Sequence, residues 1–149
     1  MTEAGLFLYS GLTTPPVFWA PLLALRSVAF AMGGQPQRAL ELVDEAIAWV
    51  GHDEADSPEF RILRGDYISQ LPGGDPAAAE EAYLAATRGA RIIGARLTEL
   101  RAATRLVNLL RSQGRSPDGT DELRNLYSTF TEGFDEPDLI EARAVLGMD

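Results

Sequence analysis

This chain matches itself at a shift of forty residues. Gly34, Gly74 and Gly114 coincide, Ala39 falls on Ala79 and Gly119, Val43 on Tyr83 and Leu123, and Ala46 on Ala86 and Leu126. Pro36 falls on Pro76, while Pro117 is one residue out of step. Self-similarity at such a period marks a stacked repeat protein, whose units bury their apolar faces against their neighbours. Within each copy the apolar residues recur at three and four, the period of a helix. Ala39, Leu42, Val43, Ala46, Ile47 and Val50 form one stripe, and Leu97, Leu100, Ala103, Leu106, Val107 and Leu110 another. No alternating apolar–polar run bounded by hairpin turns competes with this reading.

The predicted architecture is all-α: three helix-turn-helix pairs in a right-handed stack, with a capping helix at the C-terminal end. The first pair is residues 17–32 and a helix opening at Pro36. The second is residues 57–71 and a helix from Pro76 to about Ile93. The third is residues 95–113 and a helix from near Pro117 to Glu132. Proline is favoured in a first helical turn, and Ser57 is placed to cap the helix after it. Gly133 is expected to end the last paired helix as a left-handed cap. Asp135 then caps the final helix, with Phe134 stapled onto Leu139 and with Leu139, Ile140 and Val145 inward. One domain results, divided at 1–14 (a remnant of a preceding helix), 15–52, 53–93, 94–133 and 134–149. The small–large–small spacing Ala39-Val43-Ala46 and Ala79-Tyr83-Ala86 lets helices approach closely. It is similar to that of tetratricopeptide (TPR) repeats, whose usual period is about 34 residues. Leu71-Pro72 reads as a two-residue insertion, which unsettles the frame of the second copy.

Composition narrows the function classes. Of the 149 residues, 22 are acidic and 13 basic, and all the basic ones are Arg, for a net charge of −9. That balance argues against nucleic-acid and anionic-membrane partners, which need a basic footprint. With no Cys and one His, His52, the chain cannot form disulfides, use a catalytic thiol or build a multi-His metal site. Residues 4–25 carry no charge, but Pro15, Pro16, Pro21, Gly5 and Gly11 interrupt any continuous membrane helix. A cytoplasmic location is the expectation.

Two runs carry a resemblance. Gly94-Ala95-Arg96-Leu97-Thr98-Glu99-Leu100-Arg101-Ala102-Ala103-Thr104 is one. Tyr127-Ser128-Thr129-Phe130-Thr131-Glu132-Gly133-Phe134-Asp135, followed by Asp138-Leu139 and Glu141-Ala142, is the other. Both resemble the C-terminal TPR-like tail of large bacterial signalling proteins that join an adenylyl/guanylyl cyclase domain or a winged-helix regulator to a P-loop ATPase module. Leu63-Arg64-Gly65-Asp66 matches that family's Leu-Arg-Gly-Glu run, and residues 3–9 look like the end of a second helix from a preceding pair. The resemblance implies a bacterial regulatory tail, either a stand-alone paralogue or part of a longer protein. Without Lys a Walker A loop cannot form, and no cyclase metal pair is present, so those activities do not carry over.

The candidate sites follow from this frame. Neither catalytic residues, metal ligands nor a cofactor site are assigned. The acidic runs Asp53/Glu54/Asp56, Glu80/Glu81 and Asp121/Glu122 read as solvated surface. If the first helix of each pair lines a concave groove, Arg61, Arg64, Arg101, Thr104, Asn108 and Arg111 line it. Forked guanidinium groups suit capture of carboxylates, so an acidic peptide segment is the partner class. The competing reading pairs these Arg with Glu59, Asp66 and Glu99 inside the stack. Leu6, Phe7, Leu8, Tyr9, Phe18 and Trp19 form an apolar end suited to self-association as a homodimer, unless residues 3–12 fold back over the first pair. The expected function is a non-enzymatic interaction or regulatory module. The alternative is a small-ligand sensor, with a metabolite enclosed between helices.

Overall fold

The computed structural model describes residues 18–51, 56–115 and 118–148. Seven helices and no strand occur among them. They are α1 (Trp19–Met32), α2 (Pro36–Val50), α3 (Pro58–Gln70), α4 (Pro76–Ile92), α5 (Arg96–Ser112), α6 (Thr120–Tyr127) and α7 (Pro137–Leu146). Each helix packs on the next in the chain, and α5 also packs on α3 and α7. The result is a stack of helix pairs α1/α2, α3/α4 and α5/α6 with α7 at its end. Among the described residues no helix is long and apolar enough to cross a membrane.

The turns explain the repeat. After α1, the Gln35 amide donates to the Phe30 carbonyl at 2.9 Å and the Gly34 amide to Ala31 at 3.0 Å. The same pair of bonds follows α5, from Arg115 to Leu110 and from Gly114 to Arg111, both 2.9 Å. This reverse turn satisfies the last helical carbonyls and needs a left-handed residue, which Gly34 and Gly114 supply at φ +73°. The second copy turns differently. Leu71-Pro72-Gly73-Gly74 closes through the Gly74 amide on the Leu71 carbonyl at 2.9 Å, with Gly73 left-handed at φ +74°. Proline then glycine at the central positions is the type II turn preference. Gly74, which aligns in sequence with Gly34, is glycine for another reason: a Cβ there would lie 2.0 Å from the Ile68 carbonyl oxygen.

That turn shifts α3 out of the forty-residue frame. The second helices keep the period, opening at Pro36 and Pro76. The first helices end at Met32, Gln70 and Ser112, so α3 stands 38 residues after α1 and 42 before α5. Burial follows this corrected register. Ala20, Pro58 and Leu100 are buried at one level, Ala24, Ile62 and Thr104 at the next, and Ser27, Gly65 and Val107 at the third. At Gly65 a Cβ would meet the Tyr83 ring at 2.5 Å, so the aromatic lies against the α3 backbone.

Several other expectations change at the C-terminal end. The second helix of the third pair is only Thr120–Tyr127, entered through Gly119 at φ +72°. Gly133 therefore caps no helix; it lies in the loop, accepting the Glu136 amide at 2.8 Å. Glu136, not Asp135, flanks α7, and no side chain caps it. Phe134 meets the Tyr127 ring at 6.0 Å between centroids. Leu139, Ala142 and Leu146 point inward, whereas Ile140 is 46% exposed, on the face of α7 turned away from α5 and α6. Leu97, at the start of its stripe, is also exposed. Ser57 does not cap α3: its hydroxyl is buried without a hydrogen-bond partner among the described residues. A side-chain cap is found on α4, where Asp75 accepts the Ala77 amide at 2.9 Å.

Candidate functional site: two clefts in repeat register

The corrected register takes the expected Arg cluster apart. Arg101 stands level with Glu59 rather than with Arg61, and Arg61 and Arg64 stand level with Ala103 and Leu106. Arg61 and Arg64 line a cleft of about 420 Å³ between α2 and α4, with α3 as its floor. Asp44, Ile47 and Ala48 form one wall, and Glu81, Ala82 and Ala85 the other. The alanines keep the cleft open, since larger side chains would fill it.

The same construction recurs one pair later, between α4 and the start of α6 over α5. Leu84, Thr87 and Arg88 stand forty residues after Asp44, Ile47 and Ala48, and Glu122 forty after Ala82. Ala103 and Leu106 replace Arg61 and Arg64 on the floor. This second cleft is smaller, about 140 Å³, and apolar at its base. A salt bridge joins the two: Arg88 of the second binds Glu81 of the first at 2.9 Å.

Charge within the first cleft is balanced, two Arg against Asp44 and Glu81. Arg64 Nε donates to Asp44 Oδ1 at 2.8 Å, with both side chains substantially exposed. In the second cleft Arg91 donates to Glu122 at 2.7 Å and to buried Glu99 at 2.8 Å. These bonds, the one to Glu122 foremost, raise the Arg91 pKa and hold it charged. An exposed pair such as Arg64–Asp44 is worth under about 1 kcal/mol. An incoming carboxylate can therefore exchange with Asp44 at little cost.

The remaining groove residues lie elsewhere. Arg101 clamps Asp138 of α7 with two bonds, 2.9 and 2.7 Å, in a half-buried position. Thr104 is buried and donates to the Leu100 carbonyl at 2.8 Å. Asn108 and Arg111 are exposed on α5. Beside Arg101, Arg105 bonds Asp66 of α3 at 3.3 Å and also Glu141 of α7. Tyr83 of α4 donates to Asp66 at 2.7 Å. Burial pushes the Asp66 carboxyl above its usual range, although its bonds to Tyr83 and Arg105 oppose the shift. Burial, then the Asp66 charge, pushes the Tyr83 hydroxyl up as well, so it stays protonated. This network ties α3, α4, α5 and α7 together. Its guanidinium groups are engaged by carboxylates, part-buried between helices, whereas Arg61 and Arg64 line a cleft.

The expected internal partners are also reassigned. Arg64 and Arg101 pair with Asp44 and Asp138, while Glu59 accepts from Thr98 at 2.9 Å and Glu99 from Arg91. Asp44 was not singled out by the sequence and Glu81 read there as solvated surface; the packing places both on the walls either side of α3. Of the apolar end, Phe18 is exposed, while Trp19 is half-buried among α1, α2 and Phe60. Leu6, Phe7, Leu8, Tyr9, His52, Asp53 and Glu54 lie outside the described residues. Among the described residues no group of three or more His, Cys, Asp or Glu is placed to hold a metal ion. Comparison with known proteins finds no matching family, curated protein or solved structure.

Proposed function

We propose that this chain is a TPR-like, non-enzymatic interaction module that binds a segment of a partner protein in the cleft floored by Arg61 and Arg64. The supporting observation is the recurrence of that cleft: a wide, Arg-floored recess and a narrower apolar one, in repeat register and joined by Arg88–Glu81. A row of recesses set by the repeat suits an elongated ligand, which is how stacked-helix proteins use their surfaces. The forked guanidinium groups favour an acidic side chain in the first recess. The C-terminal motifs that resemble bacterial signalling tails support a regulatory role.

The test is fluorescence polarisation with an array of labelled twelve-residue peptides carrying Asp or Glu at varied positions, each with an Asn/Gln counterpart. The acidic peptides are expected to bind, and Arg61→Ala/Arg64→Ala to abolish binding with circular dichroism unchanged. Equal binding by the double variant refutes the reading. The cleft volume of about 420 Å³ also lies within the range of small-molecule sites, so a small-ligand sensor is the second reading. Stabilisation by free small carboxylates, with no peptide binding, would favour it.

A further inference from the structure

The cleft floored by Arg61 and Arg64 carries as much negative charge as positive, and this constrains what can bind there. Arg64 meets Asp44 at 2.8 Å, and Glu81 meets Arg88 at 2.9 Å. All four side chains are at least 35% exposed, so both pairs are weak and exchangeable. A ligand that brings only a carboxylate takes Arg64 and strands Asp44. The stranded charge then shares the cleft with Glu81 and the incoming carboxylate, on a chain whose net charge is already −9. Like charges gathered in one recess offset part of what the new pair gains. A ligand with a cation beside its carboxylate exchanges both partners at once and leaves no charge of the cleft alone.

The walls carry a second indication. Ile47 and Ala48 follow Asp44 by three and four residues, and Ala85 follows Glu81 by four. Residues so spaced share a helical face, so each wall sets a carboxylate one turn from apolar surface. A Lys side chain has the matching form: an apolar stem that lies along such surface and an ammonium head that seeks a carboxylate. Apolar walls alone would accept any side chain; the carboxylate on each selects a basic one.

We infer, resting on the peptide reading of this cleft, that the bound segment is of mixed charge. Its Asp or Glu is held by the Arg61 and Arg64 floor. A Lys two residues away lays its stem on one wall and brings its ammonium to Asp44 or Glu81. Residues two apart in an extended segment point to the same side, about 7 Å from each other, so one recess takes both.

The test uses three labelled twelve-residue peptides in a Gly/Ser background that differ only in a central Glu-Ser-Lys, Glu-Ser-Gln or Gln-Ser-Lys. Fluorescence polarisation with the full chain should show Glu-Ser-Lys binding about fivefold tighter than Glu-Ser-Gln, as one regained exposed ion pair allows, and Gln-Ser-Lys binding weakest. Asp44→Asn/Glu81→Gln should erase the advantage of Lys. The same variant should hold Glu-Ser-Gln at least as tightly as the native chain does, because Asp44 no longer competes for Arg64. Both substituted side chains are exposed, and an unchanged circular dichroism spectrum checks the fold. Equal binding of Glu-Ser-Lys and Glu-Ser-Gln by the native chain overturns the inference and spares the peptide reading. An undiminished Lys advantage in the double variant also overturns it, by assigning that advantage to the overall negative charge of the chain. So does Gln-Ser-Lys binding as tightly as Glu-Ser-Lys. Binding of none of the three refutes the peptide reading, and the mixed-charge ligand with it.

Discussion

Gly65→Ala tests how α3 and α4 are held together. In a solvent-exposed helix interior this substitution stabilises by about 1 kcal/mol, because alanine loses less backbone entropy on folding. Here the added methyl would lie 2.5 Å from Tyr83 Cε1 and 2.8 Å from Cδ1 and Cζ. The ring must move, and forced overpacking of this kind costs about 1–3 kcal/mol. Moving it also weakens the 2.7 Å bond from Tyr83 to Asp66, worth about 1 kcal/mol more. The net expectation is a loss of about 2 kcal/mol, or a Tm about 4–8 °C lower for a chain of this size. Thermal and urea unfolding of the variant measure it. A double-mutant cycle with Tyr83→Leu isolates the cause: without the ring, Gly65→Ala should become neutral or stabilising. A raised Tm in the native background, or an equal cost in the Tyr83→Leu background, refutes the reasoning.

Other expectations follow from the same geometry. Because the folded-state pKa of Asp66 lies above its unfolded value of 3.8, its contribution to stability is present below that pH and is lost as pH rises through the folded-state pKa. Asp66→Asn should therefore gain on the native chain in melts run from about pH 3 to pH 6, and an unchanged gap would count against the burial argument. Gly74→Ala should cost more than Gly73→Ala in chemical unfolding. The Gly74 methyl meets backbone at 2.0 Å, whereas the Gly73 methyl meets nothing and adds only left-handed strain of about 1 kcal/mol. Arg101→Leu removes the Asp138 clamp, so amide exchange in α7 should accelerate while that in α2 stays unchanged; a uniform change would show that the clamp is not local. Ser57→Ala should leave stability unchanged or raise it in urea melts, since the native hydroxyl is buried without a hydrogen-bond partner among the described residues.

Much of the candidate site was legible as residue types and little of it as geometry. Arg61 and Arg64, two of the grouped arginines, share a cleft because residues three apart on one helix stay neighbours whatever surrounds them. Arg101 was grouped with them only through a forty-residue frame that α3 does not keep. The partners Asp44, Asp138 and Glu141 lie 20 to 37 residues from their guanidinium groups. Nothing local selects them from among 22 acidic residues.

By itself the sequence determined what is local and periodic: helix rather than strand, proline at the helix starts, glycine at the reverse turns, and the forty-residue spacing of α2 and α4. These depend on backbone preference and on which residues share a helical face, and both are read within a few turns of chain. Only the tertiary structure decided the rest. It set α3 two residues off the frame, turned Ile140 outward, shortened α6 and distributed the arginines between a closed network and an open cleft. In each case the outcome depended on which faces neighbouring helices could bury together and which opposite charges that packing brought within reach. Those quantities exist only once the helices are stacked.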